Sequence, residues 1–68
     1  MRGGDIMTIA DKILIYRAKN RLSQTAFAAL VGTDQSYISN IETGKYQPGK
    51  MMKTRIELVL NDEVLREG

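Results

Sequence analysis

One stretch, Gln24 to Thr43 (QTAFAALVGTDQSYISNIET), constrains the fold more than any other part of the chain. It reads as two short helices joined by a glycine turn. Ser23 is placed to cap the first by accepting a hydrogen bond from a free backbone N–H. Phe27, Ala28 and Val31 supply the i, i+1, i+4 spacing of one apolar helix face. Gly32 follows where a helix C-cap needs a positive φ, which a side chain opposes. Ala28, about one turn earlier, presents only a methyl group and lets two helices approach closely. Thr33 or Asp34 can cap the next helix, and an acidic Asp34 also suits the positive end of its dipole. Phe27, Ala28, Gly32, Ile38 and Ile41 are therefore the expected scaffold of a helix-turn-helix.

The second helix, expected over roughly 34–42, sorts its residues by angle. At about 100° per residue, Ile38 and Ile41 share one side, and Ser36, Ser39, Asn40 and Thr43 the opposite one. Gln35 and Tyr37 fall on the flanks, Gln35 near the helix start. An ordinary solvated face would carry Lys and Glu for solubility and helix propensity. This one is neutral and dense in hydrogen-bonding groups. Gln and Asn match the donor–acceptor edge of adenine in the major groove, and Ser can contact several base edges. Gln35, Ser36, Ser39 and Asn40 are the expected base-reading residues, and a helix-turn-helix presents its second helix to that groove.

The segment from Ile13 to Leu60, about seventy per cent of the chain, resembles the helix-turn-helix domain of the phage repressor and Cro superfamily, the XRE-type regulators. The matching residues are Ile13, Tyr16 and Arg17; Leu22-Ser23-Gln24; Phe27-Ala28; Gly32; Ile38-Ser39; Glu42 and Gly44; Pro48; and Ile56 and Leu60. The resemblance implies an all-α, lambda-repressor-like bundle of about five short helices that binds near-palindromic double-stranded operator DNA, usually as a homodimer. It implies that Gln24 touches a phosphate or a base, and that Lys45 and its neighbours face the DNA backbone. It also implies an ion pair between Arg17 and Glu42, joining the first helix to the recognition helix. With Ser23, Tyr37, Thr43 and Lys50, Gln24 and Lys45 make up the expected backbone contacts. The chain departs from the family at Arg21, where glycine is frequent, at Met51-Met52, and in its short C-terminus.

Composition bounds the alternatives. Sixty-eight residues make one small domain, near the lower size at which a single core holds without staples. With neither cysteine nor histidine, a disulfide framework, a Cys/His zinc site and a histidine pH switch are excluded. No phosphate-binding glycine loop and no carboxylate pair in a plausible pocket point to an enzyme, and no cofactor or metal is expected. No apolar run approaches membrane-spanning length and no signal-peptide pattern occurs, so a cytoplasmic protein is expected. The net charge of +2 is uneven: from Lys12 to Arg55, eight basic residues face only Asp34 and Glu42, a local surplus of six. That asymmetry suits a polyanionic partner.

Residues 1–7 are expected to form a flexible leader, since Gly3-Gly4 resists helix formation, and 8–66 a single domain. Thr8, with Asp11 in a capping-box position, starts a first helix running to about Lys19. Ile9, Ile13 and Tyr16, with Leu14 beside them, give it a core stripe. Residues 43–49 read as a loop, punctuated by Gly44, Pro48 and Gly49. A fourth helix over about 50–60 buries Met52, Ile56, Val59 and Leu60, ends at Asn61, and is followed by a final turn at Val64-Leu65. Tyr37, at the edge between core and groove face, is assigned a phosphate contact. Tyr46 either packs on the fourth helix or bonds a phosphate. The methionines read as gap-filling core or leader residues. A transcriptional repressor is the leading reading. The competing one is an antitoxin-type or controller-type protein that binds a partner through Leu58, Val64 and Leu65, with DNA binding as autoregulation.

Overall fold

The structure, a computed structural model, describes residues 7–67, and side chains from 7 to 61. The leader expected over 1–7 lies, apart from Met7, outside the described residues.

Four helices make up the described chain: α1 (Ile9–Asn20), α2 (Gln24–Val31), α3 (Gln35–Glu42) and α4 (Lys50–Glu67). Each of the first three starts at a residue that can only be read as a cap. Thr8 and Asp11 form a reciprocal capping box, with Asp11 N donating to Thr8 Oγ1 at 3.1 Å and Thr8 N to Asp11 Oδ2 at 3.2 Å. Ser23 Oγ accepts from Ala26 N at 3.0 Å, and Asp34 Oδ1 from Tyr37 N at 2.9 Å. Asp34, not Thr33, is thus the cap of α3. Two of the stops are left-handed. Gly32 (φ 92°) ends α2, its N–H bonding Ala28 O at 2.8 Å. Arg21 (φ 54°) ends α1, and Leu22 N closes onto Arg17 O at 2.9 Å. Arg21 adopts here the conformation that glycine takes without steric cost.

The core is small and aliphatic. Ile13 from α1, Phe27, Ala28 and Val31 from α2, Ile38 and Ile41 from α3, and Ile56 from α4 are all buried. Burying a side chain of this kind is worth roughly 1.5–3 kcal/mol. Ile9, Tyr16, Leu22, Tyr37, Met52, Val59 and Leu60 pack around them half-buried. The Tyr16 ring meets Phe27 edge-on at 5.7 Å. Buried Ala28, with no bulk beyond Cβ, lies in α2 between these neighbours.

Two expectations about the fold are corrected. The described residues hold four helices, not about five, because α4 does not stop at Asn61. Asn is a poor helix former by only a fraction of a kcal/mol, whereas a firm stop needs Gly or Pro. Neither occurs between Asn61 and Glu67, so the expected turn at Val64-Leu65 is helix. Leu14 is not core either: it is 42% exposed, because α1 turns Ile13 inward and leaves Leu14 and Ile15 outside.

Candidate nucleic-acid interface

The glycine turn sets α2 against α3 and leaves one side of α3 uncovered. With Ile38 and Ile41 turned inward, Gln35 and Ser36 are exposed at its first turn, and Ser39 and Asn40 are half-buried one turn on. Among the described residues, the side chains of Ser36, Ser39 and Asn40 make no hydrogen bond. Beyond the helix ladder Asn40 engages its backbone carbonyl, which accepts from Thr43 Oγ1 at 3.2 Å and from Lys45 N at 3.0 Å. These hydroxyl and amide groups stay available to an outside partner.

Gln35 is engaged. Its Nε2 donates to Gln24 Oε1 at 2.6 Å, and Gln24 Nε2 donates to Glu42 Oε1 at 2.8 Å. Glu42 is the anchor: Arg17 Nη1 donates to its Oε1 at 3.2 Å and its Oε2 at 3.1 Å. Arg17 also ties α1 to the α1–α2 connection, Nε donating to Leu22 O at 3.2 Å. The ion pair is 21% exposed on the Arg17 side chain and 5% on Glu42. Arg17, Glu42, Gln24 and Gln35 therefore form one polar chain from the inside of the bundle to the exposed start of α3. The family resemblance implied the Arg17–Glu42 pair, but the two links beyond it, Glu42 to Gln24 and Gln24 to Gln35, were not anticipated. The available signal was geometric: in a helix-turn-helix the starts of α2 and α3 are neighbours.

The remaining candidate contacts flank α3. Ser23, exposed at the start of α2, uses its hydroxyl oxygen as the cap acceptor and keeps its O–H to donate; Gln24 beside it is half-buried. Thr43, Lys45 and Lys50 are exposed in or beside the loop that follows α3. Tyr46 packs its ring edge-on against Tyr37 at 5.1 Å, a contact neither of its two expected roles included. Partial burial pushes the Tyr37 hydroxyl above its ordinary pKa, and Tyr46 adds in the same direction. Tyr37 thus stays protonated and able to donate. Arg55 of α4 reaches over the turn, its Nη1 lying 3.3 Å from where a Gly32 Cβ would be.

Among the described residues no cluster of acidic side chains could hold a metal ion, and no helix is long and apolar enough to cross a membrane. The arrangement suits recognition: neutral donors and acceptors on one helix, with cations beside it.

Comparison with known proteins agrees with that geometry. A family model described as helix-turn-helix matches residues 13–61. The ImmF control region 10 kDa protein of Bacillus phage phi105 is 36% identical over 45 residues, or 66% of this chain and 50% of that protein. The chain thus spans half the length of this curated relative. No solved structure matches it.

Proposed function

The chain belongs to the helix-turn-helix family, of XRE type, whose members bind DNA and regulate transcription, and on that premise we propose a sequence-specific repressor that reads the major groove with α3. The observation that carries this reading is the exposed start of α3. There the Gln35 amide and the unbonded side chain of Ser36 are exposed, Ser39 and Asn40 follow unbonded one turn on, and the exposed cations Lys45 and Lys50 come after the helix end. Base edges are read by such side chains, whereas phosphate contacts position the protein without carrying sequence information. Ser23, Gln24, Tyr37, Thr43, Lys45 and Lys50 take the positioning role. The phage phi105 relative is named for a control region, which supports a regulatory setting.

Footprinting on the DNA flanking the protein's own gene tests the proposal. Protection of two half-sites related by a two-fold axis, about 10 bp apart, supports a homodimer on near-palindromic DNA. Protection of one asymmetric half-turn at saturation rules the dimer out. Equal affinity for all sequences rules out the regulator.

A second reading, the antitoxin-type or controller-type protein, is favoured by exposed apolar side chains on α4: Met51 at 75% and Leu58 at 66%. Coexpression with the product of the adjacent gene, followed by co-purification through a Leu58→Asp control, separates it from the first.

A further inference from the structure

The start of α1, the loop after α3 and the first half of α4 bound a cleft of about 450 Å³. Sites for small organic ligands span roughly 300–1,000 Å³ and combine an apolar lining with a few polar groups. This cleft has both. Ile9 and Ile41 supply apolar wall, and Tyr46 presents a ring that Tyr37 holds by an edge-on contact at 5.1 Å. Three charged side chains also line it, Lys12 from α1 and Lys53 and Glu57 from α4. Among the described residues, none of the three makes a hydrogen bond or an ion pair. Lys53 and Glu57 lie one helical turn apart with the cation on the N-terminal side, the weaker orientation for such a pair, and they do not close on each other. Glu57 is half-buried, and a carboxylate withdrawn from water without a donor is at a cost that a donor would remove.

We propose that this cleft binds a small amphoteric aromatic molecule, with an anionic group at one end and N–H donors at the other. Lys12 and Lys53, on two different helices, hold the anionic group. Glu57 takes the donors, because an ionised carboxylate only accepts hydrogen bonds. The aromatic body covers Ile9 and Ile41 and meets the ring of Tyr46. Glu57 is the discriminating group. Two lysines alone would attract any anion, a DNA phosphate included, whereas the carboxylate repels a plain anion and favours a ligand that brings its own donors. Two kinds of molecule share this chemistry. A free aromatic amino acid has it in its carboxylate and ammonium, and a guanine nucleotide in its phosphate and the adjacent ring N–H and amino group of the base. The inference is independent of how α3 meets DNA.

Titration of the isotope-labelled full chain with tryptophan, with guanosine monophosphate and with inorganic phosphate, followed through amide chemical shifts, tests the inference. Tryptophan or guanosine monophosphate should saturate with a dissociation constant below about 1 mM. The amides of Gly44, Gln47, Lys53 and Glu57 should move while those of Ser36 and Asn40 stay in place, and the probe that saturates identifies the source. Inorganic phosphate, with neither an aromatic body nor a base to offer Glu57, should bind at least about tenfold more weakly. Glu57→Gln should weaken the bound probe by about tenfold, the range of a hydrogen bond to a charged group, and Lys53→Met by about threefold, as an exposed pair allows. Neither change should lower the melting temperature of the free protein, since neither side chain has a partner to lose. Should Glu57→Gln not fold, the Lys12→Met, Lys53→Met double variant decides, and it should weaken the probe by about tenfold. Saturation by neither probe, equal binding of inorganic phosphate, or full affinity in the variants would each overturn the inference. Shifts confined to α3 would overturn it too, by placing the probe on that helix instead.

Discussion

Removing either partner of the Arg17–Glu42 pair should destabilise the domain, and the two losses should be unequal. Breaking a buried pair costs roughly 3–5 kcal/mol, mostly because one charge is left buried and uncompensated. Which charge is left decides the magnitude. Arg17→Ala strands Glu42, which is 5% exposed and retains only the Gln24 amide as donor. Glu42→Ala strands Arg17, which is 21% exposed, still donates to Leu22 O and can turn its guanidinium toward water. Arg17→Ala should therefore cost the upper part of that range and Glu42→Ala about 2–3 kcal/mol, discounted for solvent. A domain of this length holds only about 3–10 kcal/mol in total. At roughly 4–8 °C per kcal/mol, both variants should melt far below wild type, and Arg17→Ala should be partly unfolded at room temperature. Thermal and urea melts followed by circular dichroism measure this, with exposed Lys12→Ala as the surface control. The double variant should recover part of the loss, since neither charge is then stranded. Additive losses in the double variant, or Glu42→Ala costing more than Arg17→Ala, would refute the reasoning.

Other substitutions separate the remaining roles. Asn40→Ala should weaken the operator by about 1–3 kcal/mol and relax base preference locally, as a binding-site selection would register. Lys45→Ala should weaken all DNA alike and lower the slope of log affinity against log salt by about one, measured by titration at several salt concentrations. Arg21→Gly should raise stability by about 1 kcal/mol, because it relieves a left-handed residue at the end of α1; an unchanged or lower melting temperature counts against that strain. Gly32→Ala should do the reverse by a similar or larger margin, being strained at φ 92° and crowding Arg55 Nη1.

Much of this protein could be read from its residues in order, because the relevant forces act over three or four positions. Thr8 with Asp11, Ser23 and Asp34 each cap a helix through a bond to a backbone N–H three residues on, and Gly32 takes the left-handed conformation its position called for. The apolar spacing of Ile38 and Ile41 likewise determined which side of α3 would face out. A weak local signal was less dependable: Asn61 hinted at a stop, but no local force strong enough to end α4 follows it. Leu14 shows a second limit, since a helical stripe defines a face only to within about one residue until the neighbouring helices choose its centre. The resemblance supplied the Arg17–Glu42 pair, but the tertiary structure alone decided that it continues through Gln24 to Gln35 as one polar chain. Its links span 25, 18 and 11 residues, and its middle members meet only because three helix ends converge. The Tyr37–Tyr46 contact arises in the same way, across the loop after α3. Composition and spacing determine which groups are present and which face they share. The direction in which an amide points depends on an acceptor contributed from elsewhere in the fold.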